Sequence, residues 1–285
     1  MVDQELPSVG SFTEHFAQLP DLRSPINRQH LLVDVIVICV CGVLSGADGP
    51  AAIAMWAKLH SDWLGEHLAL PHGIPSRDTI RRVLQRLEPQ AFQRCFAAWL
   101  ESLIGLSGAR FLAIDGKTLR RSHDAKNALG ALHMVSVWAT EQLLTLGQIA
   151  TAAKSNEITA IPLVLELVDV GGAIVTIDAM GCQKEIAQKI VNRKGDYVLP
   201  VKGNQGNLEI ALQNFFYDHL EDDFARVKVS RFETNEFCHG RQEHRCYLQV
   251  DVPESLPGRK NWAGLKTLGM VIRTREIDGQ ETGEV

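Results

Sequence analysis

The sequence predicts an α/β protein: a small all-helical domain followed by a mixed sheet flanked by helices. Three observations carry this. Up to Leu106 apolar residues recur at helical spacing, and beyond it short β-branched runs take over, which sets a boundary near 106–110 between a helical domain over 1–106 and a sheet domain over 107–285. The second part reads as three strands and then helix, strand, helix, strand, helix. Two of its strands also end alike: Phe111 to Ile114 runs into Asp115-Gly116, and Ala173 to Ile177 runs into Asp178, with Gly181 close behind.

Residues 1–30 are polar and broken by Pro7, Pro20 and Pro25, and Leu19-Pro20-Asp21-Leu22-Arg23 reads as an ordered turn feeding the first helix. That helix spans Leu31 to Leu44 and stops at Ser45-Gly46-Ala47-Asp48-Gly49-Pro50, a run of helix breakers. A second runs from Ala51 to Leu64 with Trp56, Leu59 and Trp63 on one face. Ser76 caps a third, Arg77 to Leu87, whose first turn holds Asp78 where the macrodipole favours an anion. Ile80, Val83, Leu84 and Leu87 form its apolar side, while Arg77, Arg81, Arg82 and Arg86 form a basic one. Such a face either lies on a phosphate backbone or is the solvated side of a bundle helix. The last helix, Pro89 to Ile104, turns Phe92, Phe96 and Trp99 inward.

In the second part the strands are 111–115, 132–140 and 143–152, with Glu141-Gln142 as the turn of a hairpin. A helix over 156–169 follows, capped by Asn156 and ended by Gly171-Gly172. Then come strand 173–178, helix 182–193, strand 196–201 and helix 205–218. This is the element order of the ribonuclease H-like fold, in which the first strand lies mid-sheet with the fourth beside it. It therefore sets Asp115 and Asp178 next to each other. Two carboxylates at one sheet edge make a hard, oxygen-rich site suited to Mg²⁺ or Mn²⁺; either alone also reads as the cap of the turn behind it. A carboxylate at the end of a buried strand calls for a compensating cation. Lys117, Arg120, Arg121 and Lys202 are the nearby positive charges, as phosphate contacts or as solvated surface cations, and Asn204 and Gln205 read as DNA contacts or, in preference, as caps of the helix that starts there. Residues 223–275 return to strand spacing over Ala225–Phe232, Cys246–Val252 and Thr267–Thr274, before a polar tail from Glu276 to Val285.

Bulk properties narrow the function. A net charge of −5 gives no global basic field, so any DNA contact must be local. Six irregularly spaced cysteines without a CxxC, and a start lacking the basic and apolar regions of a signal peptide, predict a reduced cytoplasmic protein. The longest apolar run, Leu31 to Leu44, is 14 residues and contains Asp34, short of the ~20 that a membrane span needs.

Four blocks carry a resemblance: Ala113-Ile114-Asp115-Gly116-Lys117-Thr118-Leu119-Arg120, Lys154-Ser155-Asn156-Glu157-Ile158-Thr159-Ala160-Ile161-Pro162, Thr176-Ile177-Asp178-Ala179-Met180-Gly181-Cys182-Gln183 and Val201-Lys202-Gly203-Asn204-Gln205. In this order they resemble the H-repeat-associated transposases of bacterial insertion sequences, members of the DDE superfamily. Leu19 to Arg23 and Pro75 to Leu87 are similar to that family's helical domain, so the resemblance covers essentially the whole chain. It implies DNA transposition: phosphodiester cleavage followed by strand transfer, with Mg²⁺ or Mn²⁺ held by Asp115 and Asp178. The implied partner is double-stranded DNA, as transposon ends and target, and a homo-oligomer is allowed. The family's third acidic residue is a Glu in a C-terminal helix with the pattern His-Trp-x-(Ile/Val)-Glu-Asn, which these 285 residues do not contain. The expectation is a C-terminally incomplete, inactive copy; the alternative is a non-catalytic DNA-binding or regulatory remnant. The family's Gly-Arg-x-Glu-x-Arg strand matches Gly240 to Arg245, which makes Glu243 the substitute third catalytic carboxylate. A phosphatase reading of Asp115-Gly116 fails, because its nucleophilic aspartate would fall on Ala113.

Overall fold

A computed structural model describes residues 9–104, 110–119, 122, 130–151, 157–238, 241–277 and 280–284. The chain divides into two compact units, one of residues 1–108, 136–149 and 166–169, the other of residues 109–135, 150–165 and 170–285.

Among the described residues the first unit holds the helices α1 (Val9–Phe16), α2 (Leu32–Leu44), α3 (Pro50–Leu59), α4 (Ser61–His67), α5 (Arg77–Arg86) and α6 (Pro89–Ile104). Helix α1 falls in the stretch that reads as polar. Phe12 and Phe16, one turn apart, stack at 4.2 Å and meet Trp99 and Phe92 of α6, and that burial outweighs the polar neighbours. Helix α2 is apolar almost all round and buries Val35, Ile36, Val37 and Ile38. Its buried Asp34 is satisfied by the Leu70 amide, which donates to Oδ2 at 3.0 Å. The single helix expected over 51–64 is two, because the chain leaves helical geometry at His60. There the imidazole stacks on Trp56, with Nδ1 2.8 Å from the Trp56 carbonyl. Leu59 and Trp63, expected to pack on one face, are 73% and 40% exposed. The turn at 19–23 is ordered as expected. Arg23, only 6% exposed, donates to both Asp21 carboxylate oxygens and to the His30 carbonyl, and it holds the Asp21 carboxyl below its ordinary range.

The mixed sheet consists of β1 (Arg110–Thr118), β2 (His133–Ala139), β3 (Leu144–Thr151), β4 (Ala173–Ile177) and β5 (Asp196–Val198), in the order β3-β2-β1-β4-β5. The first strand lies centrally with the fourth beside it, which is the ribonuclease H-like order. Strand β4 pairs in parallel with both β1 and β5. The intervening helices are α7 (Glu157–Val164), α8 (Lys184–Asn192) and α9 (Gly206–Leu220). Helix α7 is shorter than the expected 156–169: Pro162 removes a backbone donor, and the chain continues as a 3-10 turn over Leu165–Leu167. Its expected cap, Asn156, lies outside the described residues.

Strands β6 (Val229–Cys238), β7 (Arg241–Asp251), β8 (Thr267–Ile277) and β9 (Gln280–Glu284) form a second, antiparallel sheet in chain order. Residues 280–284, expected as a polar tail, form its last strand, held by backbone pairing with no apolar pattern to announce it. Leu248, Val250 and Leu268 of this sheet share a core with Phe216 of α9. The loop before β8 ties the second sheet to the first. Trp262 packs with Cys182 and Ala187, the Tyr197 hydroxyl donates to the Ala263 carbonyl at 2.7 Å, and Gly264, at φ +63°, passes under Val191 where a Cβ would collide. Among the described residues no helix is long and apolar enough to cross a membrane.

Candidate active site at the ends of β1 and β4

Parallel strands leave a sheet at the same edge. The β1–β4 register ends on the pair Ile114–Ile177, the residues directly before Asp115 and Asp178; β4 stops there, while β1 continues to Thr118, three residues beyond the expected end at Asp115. Both carboxylates are exposed. This corrects the expectation of a costly buried charge needing compensation: the strands are buried but their acidic ends reach solvent.

Asp178 is a cap as well as a candidate ligand. Its Oδ1 accepts from the Met180 and Gly181 amides at 3.1 and 3.2 Å, closing the 3-10 turn Ala179–Gly181. Oδ2 takes no part in that cap, so the turn fixes the carboxylate while leaving one oxygen for other work. Asn204 and Gln205 do not cap α9 as expected. Asn204 Nδ2 donates to the Ala179 carbonyl at 2.7 Å and Gln205 Nε2 to the Cys182 carbonyl at 3.0 Å, while Gln183 Nε2 donates to the Met180 carbonyl at 3.2 Å. Three side-chain amides thus latch the loop that presents Asp178. The signal was in the sequence, since one chain holds both Gly-Asn-Gln and Gly-Cys-Gln, but the direction of donation was not.

Lys117 and Lys202 are exposed, free to meet an anion approaching this edge, and Arg120 and Arg121 lie outside the described residues. Arg77, Arg81, Arg82 and Arg86 are exposed on α5, with Ile80 and Val83 buried opposite, and the Ser76 hydroxyl caps the helix by accepting from the Thr79 amide at 3.2 Å. Asp78 lies 3.7 Å from both Arg77 and Arg81, partly neutralising that end of the face.

Glu243 stands on β7 in the second sheet and is 6% exposed. Arg275 Nε donates to its Oε2 at 2.9 Å, and Arg245 Nη2 contacts Oε1. Arg275 foremost, with Arg245 beside it, holds the carboxyl below its ordinary value. Among the described residues no three His, Cys, Asp or Glu side chains gather where a metal could sit, so Glu243 is not brought together with the two aspartates. Sequence reasoning missed a buried polar pair beneath the end of β1, His133 and Glu157, 2.5 Å apart. Its signal was a charged residue opening a helix, Glu-Ile-Thr-Ala-Ile-Pro-Leu-Val, that offers it almost no polar face.

A ribonuclease H-like sheet that brings two exposed aspartates to neighbouring positions offers donors of the kind that a hard divalent cation takes. The model of the Transposase DDE domain matches residues 106–251, and that of the DDE_Tnp_1-associated domain matches residues 13–100. The chain belongs to the DDE transposase family. The "Putative transposase YncI" of Escherichia coli O157:H7 is 39% identical over 278 residues, 97% of this chain and 70% of the relative. The "H repeat-associated putative transposase YhhI" of Escherichia coli (strain K12) is 39% identical over 95% of this chain and 71% of the relative. The "Uncharacterized protein in dhlA 3'region" of Xanthobacter autotrophicus is 41% identical over 94% of this chain and 90% of the relative. Membership implies a divalent metal as cofactor and DNA as partner.

Two predictions follow from this geometry. Asn204→Leu leaves the Ala179 carbonyl without its donor, a loss of about 1 kcal/mol. Amide exchange over residues 178–183, followed by mass spectrometry, is expected to quicken roughly fivefold; an unchanged rate would show that the turn holds itself. For Glu243 the folded-state pKa is depressed, so its contribution to stability is present above its ordinary value of 4.5 and is lost as pH falls through the lower folded value. Glu243→Gln is expected to flatten the acid limb of a plot of urea midpoint against pH, and a limb as steep as wild type would remove Glu243 from the account.

Proposed function

We propose that this chain is by ancestry an insertion-sequence transposase, of the kind whose reaction is metal-dependent cleavage at double-stranded transposon ends and strand transfer into target DNA. Asp115 and Asp178 are the metal-holding carboxylates of this reading. The observation that carries it is the β1–β4 register, whose last pair, Ile114 and Ile177, directly precedes two exposed aspartates. Their donor chemistry fits a hard divalent cation such as Mg²⁺ or Mn²⁺. When bound, the metal activates the attacking oxygen and stabilises the leaving one. The chain's own part is to present one oxygen of Asp178 on a latched turn, to hold Asp115 one strand away, and to offer Lys117 and Lys202, with Arg120, to the phosphates of the bound strand.

The helical region 1–106 supplies backbone contacts through Arg77, Arg81, Arg82 and Arg86, while 107–285 holds the acidic pair. Two carboxylates are too few to fix two Mg²⁺ ions, because Mg²⁺ demands near-octahedral geometry and gives up its waters reluctantly. On that donor set the chain is expected to bind divalent metal weakly and to leave DNA uncut. This favours the second reading for the isolated chain, a DNA-binding or regulatory form without catalysis, and it rests on the two-carboxylate donor set and on Glu243 being held by arginines.

The test is Mg²⁺- or Mn²⁺-dependent cleavage of transposon-end DNA by the purified chain, with Asp115→Ala and Asp178→Ala alongside. No product from any of the three is expected. Cleavage that both substitutions abolish would instead establish an active enzyme and make Glu243→Gln the next variant. Separately, replacing the four α5 arginines by alanine is expected to flatten the log–log salt dependence of DNA binding by about one unit per lost phosphate contact. An unchanged slope would leave α5 a structural helix only.

A further inference from the structure

We infer that the buried His133–Glu157 pair is a positioning device for Asp115, fixing where the end of β1 carries its carboxylate. This rests on Asp115 being a metal ligand, as proposed above. Three elements meet at one point: the end of β1, His133 as the first residue of β2 and Glu157 as the first residue of α7. His133 is 2% and Glu157 6% exposed, with Nε2 and Oε1 2.5 Å apart. Neither of those two atoms has a hydrogen-bond partner, so what joins them is the close approach of imidazole and carboxylate alone. The second imidazole nitrogen, Nδ1, lies 2.9 Å from Thr118 Oγ1, which returns the chain of contacts to β1 three residues beyond Asp115.

Gly116, directly after Asp115, presses against the same pair. A Cβ there would lie 2.5 Å from Glu157 Cδ and 2.8 Å from His133 Nε2, and it would also overlap Glu157 Oε1. Its φ is not in the left-handed region, so glycine is required here for space and not for conformation. Residues 116 and 118 of β1 are thus held from the side by one imidazole–carboxylate pair, and Asp115 has little freedom to slide or twist.

Stability alone does not account for the pair. Buried ionisable pairs are commonly matched or exceeded in stability by apolar side chains of similar volume. The helix dipole favours a carboxylate in the first turn of α7 but does not require an imidazole opposite it. What the pair adds is a close-packed polar contact joining β1, β2 and α7, hydrogen-bonded to β1 through Thr118 and pressed on it at Gly116, the kind of outer contact that orients a ligand to a metal.

The test is Mn²⁺ titration of the full chain, read by water-proton relaxation so that weak sites register, with the thermal midpoint measured on each variant. Glu157→Gln keeps an acceptor oxygen for the imidazole and is expected to bind Mn²⁺ within about twofold of wild type, whereas the double variant His133→Leu/Glu157→Leu is expected to keep its thermal midpoint yet lose about tenfold or more in affinity. Gly116→Ala is expected to lose affinity likewise, with Asp115 chemically unchanged. A folded leucine pair that binds Mn²⁺ as wild type does would overturn the inference and leave the pair purely structural. Should the leucine pair not fold, wild-type affinity in Gly116→Ala overturns it equally. Asp115→Ala is the control: if that variant binds Mn²⁺ undiminished, the metal-ligand reading itself is wrong and this inference goes with it.

Discussion

The parallel ladder between β1 and β4 is the constraint on which the rest depends. Antiparallel neighbours would send their two strand ends to opposite edges of the sheet, and an aspartate after each would then be separated by the length of a strand. Parallel pairing requires a long crossover between the strands. Here that crossover is β2, β3 and α7, so the elements that cover the sheet are also the ones that make its acidic edge possible. Once Ile114 and Ile177 are in register, the adjacency of Asp115 and Asp178 needs no further interaction.

Register sets the backbone, and what remains is to hold two side chains still. The two aspartates are held differently. Asp178 sits on a turn closed by its own carboxylate and clamped by Gln183, Asn204 and Gln205, so its environment is made of backbone carbonyls and neutral amides. Asp115 stays within a strand whose next residues rest on a buried imidazole and carboxylate. Both arrangements leave the acidic groups exposed and so open to an incoming cation.

The features legible in the sequence were those written locally. An apolar run into Ile-Asp announces two strands, of which β4 ends there and β1 runs on to Thr118, and the order of strands and helices fixes a sheet with the first strand central. Ser76 before a helix with alternating apolar and arginine positions announces α5 with its cap. What was not legible depends on distance or on backbone alone. Helix α1 rests on two phenylalanines whose partners lie on α6. The break at His60 comes from a side chain meeting the carbonyl four residues back. Strand β9 is polar and held by ladder bonds, so it has no periodicity to read. His133 and Glu157 are 24 positions apart, and neither carries a mark of the other. Asn204 and Gln205 sit where helix caps belong, and only the fold shows that their amides reach back to the Asp178 loop.

Trp262 lies in the loop before β8, yet it packs on Cys182, four residues beyond Asp178, while Gly264 makes room for Val191. The second sheet is thereby keyed into the loop that carries the acidic residue. On packing grounds the two segments are not expected to drift independently. A lineage that shrinks Trp262 opens a void beside Cys182 and selects for a larger residue there, and one that enlarges Cys182 pushes on the turn presenting Asp178. Replacing the second sheet wholesale, by recombination with a related mobile element, would carry the same debt: the incoming loop must bring a residue that fits against position 182, or the acidic edge loses its alignment.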